Sequence, residues 1–160
     1  MMLFDFNTNA DISTWQVIDD GVMGGRSQGA FHLNDAGHGV FSGTVSLENY
    51  GGFSSVRHRF DTLSVKGYQD VAIRLKGDGK RYQFRVKSTL DQRHSYLANF
   101  ETSGAWQTVT LPLNAMYPAF RGQKLPQPNY DGTIVSEIAF LIGNKKAEPF
   151  RLEIDWIRLQ

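Results

Sequence analysis

Hydrophobic and polar residues alternate with a period of two along much of the chain. Val71, Ile73 and Leu75 alternate with Ala72, Arg74 and Lys76. Tyr82, Phe84 and Val86 alternate with Arg81, Gln83, Arg85 and Lys87, and Tyr96, Ala98 and Phe100 with Ser95, Leu97, Asn99 and Glu101. Successive side chains of a strand point to opposite faces, so this period predicts strands with one buried face. Further strands are expected near residues 29–33, 38–47, 53–60, 106–111, 134–143 and 150–159, and Phe4 reads as part of a first strand. Ile138 to Ile142 is apolar at nearly every position, which predicts a central strand covered on both faces. No segment of ten or more residues carries a helical period.

The segments between these runs are short and rich in turn formers. Lys76-Gly77-Asp78-Gly79-Lys80 is expected to form a tight hairpin between two alternating strands. The longest irregular stretch, Leu113 to Gly132, is expected to be an ordered surface loop pinned by Met116, Tyr117, Phe120 and Tyr130. About ten short strands with frequent turns predict an all-β, two-sheet antiparallel sandwich of jelly-roll type. The 160 residues fit one such domain, residues 1–160. Ile73, Phe84, Phe140, Ile154 and Trp156 are expected in its core, Trp156 because it falls in phase with Leu152 and Ile154. Trp106 opens an alternating run and is also a core candidate, whereas Trp15, ahead of a glycine-rich loop, is the tryptophan expected to be exposed.

Composition removes several function classes. The absence of cysteine excludes disulfides, zinc–thiolate sites and thiol nucleophiles. A formal charge of +1 argues against a broad nucleic-acid footprint or a polybasic membrane anchor. The N-terminal residues carry neither the basic region nor the apolar run of a signal peptide, and no apolar stretch approaches the roughly 20 residues that span a bilayer. A cytoplasmic protein without membrane insertion is expected.

Catalytic signatures are missing. His32, His38, His58 and His94 are scattered without ligand spacing, and no nucleophile elbow, phosphate loop or dinucleotide fingerprint occurs. Val22-Met23-Gly24-Gly25-Arg26-Ser27 is read as a loop whose glycines supply unusual backbone angles, in preference to a phosphate cradle. Asp19-Asp20 is read as a pair that caps backbone amides. Glu153 and Asp155 share a face of the last strand and are read as partners of arginine rather than an acid–base pair. Asp5 and Asp155 supply too few oxygens for calcium, so no metal and no cofactor are expected.

The informative feature is a polar sheet face. Opposite the core side, the strands carry Ser55, Arg57 and Arg59, then Arg74 and Lys76, then Gln83, Arg85 and Lys87, then Asn99 and Glu101. Arginine's planar fork suits carboxylates, phosphates and sugar hydroxyls. Arg57, Arg74 and Arg85 are expected to converge near Asn99, with Arg26 or Arg121 arriving from loops and Trp15 beside them; a solvated face with cross-strand ion pairs to Glu101, Glu153 and Asp155 is the alternative. Glu48, Glu101 and Asp155 are the expected balancing acids, and Tyr50, Tyr117 and Tyr130 are loop aromatics able to stack on sugars or anchor a protein.

Several blocks carry a family resemblance. They are Asp20-Gly21-Val22-Met23-Gly24-Gly25-Arg26-Ser27, Phe41-Ser42-Gly43 with Ser46-Leu47-Glu48-Asn49, and Gly51-Gly52-Phe53 with Ser55-Val56-Arg57. The Gly77-Asp78-Gly79 turn, Trp106-Gln107, Pro118, Arg121-Gly122, Phe140-Leu141-Ile142 and Leu152-Glu153-Ile154-Asp155-Trp156-Ile157 follow in order. Together they resemble the complex I intermediate-associated protein 30 family, whose domain has a galactose-binding-like jelly-roll fold. The resemblance implies a non-catalytic binding module, because the family's mitochondrial member is an assembly factor associating with intermediates of NADH:ubiquinone oxidoreductase. That member has a targeting segment and a long extension ahead of its domain, and this chain is expected to be a bare bacterial domain. The partner is expected to be a protein, such as a respiratory-complex assembly intermediate. A glycan bound as by a carbohydrate-binding module is the alternative. An enzyme or binder for a small anionic ligand on the arginine face is the third reading.

Overall fold

A computed structural model describes residues 1–160, apart from the side chains of Val22 and Met23. The thirteen strands among the described residues begin with β1 (Met2–Asp5), β2 (Trp15–Asp19), β3 (Gln28–Leu33), β4 (Gly39–Val45), β5 (Ser54–Ser64), β6 (Asp70–Lys76) and β7 (Arg81–Lys87). They continue with β8 (Ser95–Glu101), β9 (Trp106–Pro112), β10 (Tyr117–Phe120), β11 (Gln123–Lys124), β12 (Ile134–Ile142) and β13 (Glu148–Leu159). Among the described residues, the only helical turns are short 3-10 segments at Asp20–Met23, Glu48–Tyr50 and Leu113–Ala115.

The strands pair antiparallel into two sheets. One runs β3-β4-β13-β6-β9, with β1 alongside the last residues of β13. The other runs β11-β10-β8-β7-β12-β5-β2. The period of two puts Tyr82, Phe84, Ile138, Phe140 and Ile142 of the second sheet against Phe41, Ile73, Leu75, Leu152, Ile154 and Ile157 of the first, all fully buried. Truncating a core phenylalanine of this kind costs about 3–5 kcal/mol. The chain is therefore an all-β jelly-roll sandwich, and Ile73, Phe84, Phe140 and Ile154 lie in the core as the alternation predicts.

Four expectations are corrected. Lys76–Lys80 is not a hairpin, because β6 and β7 belong to different sheets and the turn carries the chain across the sandwich. Long-range contacts hold it there. A Cβ at Gly77 would lie 2.2 Å from Thr102, whose Oγ1 accepts from the Gly79 amide at 3.1 Å and donates to the Lys80 carbonyl at 2.7 Å. Asp78 accepts from the Tyr82 hydroxyl at 2.9 Å and from the Arg151 amide at 2.8 Å.

Trp156 is half-buried and faces outward. Where β13 pairs with β6, the register shifts between Ile154 and Trp156, and this bulge inverts the alternation so that Ile157 takes the core position. The Arg158 guanidinium covers the Trp156 ring at 4.3 Å. Trp106 is also half-buried, against Arg74 at 5.4 Å and the His38 ring at 4.5 Å. Trp15, expected to be exposed, is buried on β2 between Phe4, Phe6, Phe31 and His58, because the N-terminal strand closes over this edge of the core.

The stretch from Leu113 to Gly132 is ordered and contributes β10 and β11. Met116 and Tyr130 are its buried pins, the Tyr130 hydroxyl donating to the Ile134 carbonyl at 2.6 Å.

Candidate functional site

The glycine-rich segment works as a clamp. Asp20 is fully buried at the start of its 3-10 turn, and its carboxylate accepts from the Ser27 amide at 2.9 Å, the Ser27 hydroxyl, the Gly52 amide at 2.7 Å and the Phe53 amide at 3.2 Å. A Cβ at Gly25 or at Gly51 would collide with this carboxylate, at 2.4 and 2.5 Å. Glycine is required there by close approach. Burial pushes the Asp20 carboxyl up, but the bonds from Ser27, Gly52 and Phe53 outweigh it and hold the group below its ordinary value. Asp19 beside it accepts from the Gly29 amide at 2.9 Å and from the Ser54 hydroxyl. The pair caps amides, as its sequence context suggests, and ties the segment carrying Tyr50 to the sandwich.

That segment forms one wall of a groove of about 560 Å³ over the outer face of the seven-stranded sheet. The floor is β12, flanked by β5 and β7. Register fixes its rows: Arg57, Ala139 and Arg85 lie side by side, then Arg59, Glu137 and Lys87 in one direction, and Ser55, Leu141 and Gln83 in the other. Small Ala139 between two arginines leaves a trough, with the opposite wall formed by Ala119, Phe120, Arg121 and Gly122.

Among the described residues, the non-glycine positions with positive φ are Asn49 at 55°, Tyr50 at 61°, Arg121 at 49° and Lys145 at 58°. The last three line the groove. Backbone held in sparsely populated regions clusters at functional sites. Tyr50 is 98% exposed at the groove mouth.

The groove is strongly basic. Among the described residues, Arg57, Arg85, Lys87, Arg93, Arg121 and Lys145 line it, against the single carboxylate of Glu137, on a chain of net charge +1. Glu137 is buried and pairs with Arg59 at 2.8 Å and, more loosely, with Arg57 at 3.9 Å. Arg57 also donates to Gln16 at 3.1 Å, while its buried Nε has no partner. Arg85 donates Nε to Gln83 at 3.0 Å. Burial lowers the Arg85 guanidinium from its ordinary value, with Tyr117 and Glu137 opposing the shift, and burial likewise lowers Lys87, offset by Glu137.

Of the residues expected at a site, Arg57 and Arg85 lie in the groove with Arg121 on its wall. Asn99 shares the face, opposite Gln83, and donates to the Tyr117 hydroxyl at 3.1 Å. Arg74 does not join them. It lies on the other sheet and pairs with Asp155 at 3.3 Å, a consequence of the chain crossing at Gly77–Gly79. Arg26 stands outside the groove lining and faces Glu48 at 3.7 Å, and Trp15 is in the core. The acids expected to balance the arginine face pair elsewhere: Glu48 with Arg26, Glu101 with Arg81 and Asp155 with Arg74.

Sequence reasoning missed Glu137, Arg93 and Lys145. Glu137 had a usable signal, a lone acid in phase with Ala139 and Leu141 in an otherwise apolar run. Arg93 and Lys145 sit in loops that no periodicity places. No group of three or more histidines and carboxylates that could hold a metal occurs among the described residues.

Known proteins share both the fold and the sequence pattern. A family 11 carbohydrate-binding module from Clostridium thermocellum, solved in complex with a β-1,3-1,4-mixed-linked tetrasaccharide, superimposes with a TM-score of 0.70. It is 16% identical, over 99% of this chain and 93% of that one, a likeness of fold. The mitochondrial complex I intermediate-associated protein 30 of Drosophila melanogaster is 23% identical over 99% of this chain and 62% of its own length. That of Mus musculus is 22% identical over 98% and 55%. The chain thus spans somewhat over half the length of these relatives. The model of the complex I intermediate-associated protein 30 family matches residues 4–154, nearly the whole sandwich with both the Asp20 clamp and the groove, and the chain belongs to that family.

Proposed function

We propose that the chain is a non-catalytic binding module that takes a protein partner in the groove over β12, and that this partner is an assembly intermediate of respiratory complex I. The observation behind this reading is the groove itself: a preformed trough with an exposed tyrosine at its mouth and arginines on its floor and wall, the residue types that dominate protein interfaces. The relatives' name supplies the class of partner. A binder fits better than a catalyst, because the groove's one carboxylate is already held by Arg59 and leaves no free acid–base pair. Affinity capture from the native host, wild type beside Arg85→Ala, is the test. Complex I subunits recovered with wild type and depleted with the variant support the reading. Equal recovery, or no complex I subunit, defeats it.

A second reading has one observation in its favour. Tyr50 stands almost free above a sheet-face trough in a fold shared with a saccharide-bound module, a placement suited to stacking on a sugar ring. Saturable binding of a neutral oligosaccharide on a glycan array, lost in Tyr50→Ala, would favour it over a protein partner.

A further inference from the structure

The arginines divide by location. Outside the groove lining, each described arginine has a partner: Arg26 faces Glu48, Arg59 Glu137, Arg74 Asp155, Arg81 Glu101 and Arg151 Glu153, while Arg158 stacks on Trp156. Inside it, Arg85 and Arg93 have no carboxylate within ion-pair distance, Arg121 rests only on the Phe120 ring at 5.2 Å, and Arg57 shares its acid at 3.9 Å. A near-neutral chain that pairs its other arginines and gathers these around one trough has left that charge for a ligand to neutralise.

The trough also limits the ligand's shape. Arg57 and Arg85 flank Ala139 from the two neighbouring strands, about 10 Å apart at Cα. An anionic group resting over the Ala139 methyl therefore meets a guanidinium on either side. One row further, Leu141 makes the floor apolar, and Gly51, Gly52 and Tyr50 form the wall. The neutral polar groups are largely engaged: the Ser55 hydroxyl donates to the Ile18 carbonyl at 2.6 Å and Gln83 accepts from Arg85. A neutral sugar would find few uncharged partners here and would leave the guanidinium charge unbalanced, whereas a carboxylate would neutralise it.

We infer that the groove recognises an acidic, extended peptide segment of its partner, a carboxylate held between Arg57 and Arg85 over Ala139 and flanking acids met by Arg93 and Arg121. This rests on the protein-binding reading above and names its chemistry. Glu137 acts against such a ligand, since it neutralises part of the trough from within and draws on Arg57.

The test is fluorescence anisotropy with labelled, amidated hexaglutamate and with hexaglutamine as the neutral control, on the full chain. Hexaglutamate is expected to bind and hexaglutamine not, with binding falling as salt rises from 50 to about 300 mM because the contacts are charged and partly exposed. Arg85→Ala should weaken binding at least tenfold. Arg121→Ala, at an exposed wall position that does not endanger folding, should weaken it severalfold. Glu137→Gln should tighten it. Equal binding of the two peptides, or binding unchanged in both arginine variants, overturns the inference. So does binding only to glucuronate oligosaccharides or inorganic phosphate, tried as competitors. Complex I subunits captured without hexaglutamate binding would sink the acidic-segment inference alone. Hexaglutamate binding without captured subunits would sink the assembly reading and leave the inference standing.

Discussion

At the scale of single residues, two buried titratable groups set the response to acid, in separate pH windows. His58 is buried against the Trp15 ring at 5.1 Å, and its Nδ1 has no partner. Burial lowers its proton affinity, with a bond to the Thr14 backbone opposing the shift. The unfolded state therefore takes up a proton that the folded state refuses. Stability is unaffected above the ordinary value of 6.5 and falls as pH drops below it. Urea unfolding at pH 7 and pH 5 should show this loss in wild type and a smaller one in His58→Gln. Asp20 acts lower down. Its depressed pKa contributes stability above the ordinary value of 3.8, and that contribution disappears as pH falls through the folded value. Asp20→Asn should cost about 3 kcal/mol near neutrality, since it weakens several charge-assisted bonds at once. The gap from wild type should close below pH 3.8; a gap that stays constant down to pH 3 would show that the carboxylate charge is not what the clamp uses. The capping role of Asp19 and Asp20 was legible in the sequence, because paired acids beside glycines suit amide capping. The burial of His58 and Trp15 was not, since it depends on Phe4 and Phe6 arriving from β1, on the opposite sheet, and the residue after it.

At the scale of elements, the period of two located the strands but could not assign them to sheets. β6 and β7 have matching patterns and a four-residue connection that suits a hairpin, yet the turn crosses the sandwich, pinned by Thr102, just after β8, and by Arg151 of β13. That one ambiguity separates Arg74 from Arg57 and Arg85. The bulge in β13 is the second limit, because nothing local marks the residue at which the alternation inverts. Glycine carried more than its sequence context suggested. Gly29 and Gly43 face each other across β3 and β4, and a Cβ on Gly43 would fall 2.0 Å from the Gln28 carbonyl oxygen. Gly43→Ala should therefore part these strands and cost about 2–3 kcal/mol, read as a lowered urea midpoint with unchanged slope. A substitution without effect would mean that β3 moves aside freely.

At the scale of the whole molecule, one face of the sandwich is built for stability and the other holds an open basic trough. Tyr50→Ala separates the two roles. Its ring is exposed, so thermal stability should stay within about 0.5 kcal/mol of wild type while capture of the partner declines. A large drop in melting temperature would instead make Tyr50 a structural residue. The strand beneath the trough has a further consequence. Along β12, residues 138, 140 and 142 fill the core, while 137, 139 and 141 form the floor. Even and odd positions answer to different demands, and the same parity separates Val56 from Arg57 on β5 and Phe84 from Arg85 on β7. Mutation can rewrite one set while leaving the other unread. Such a scaffold can drift from one ligand to another without passing through unfolded intermediates, and a library randomised at 57, 83, 85 and 139 would be the laboratory counterpart of that drift.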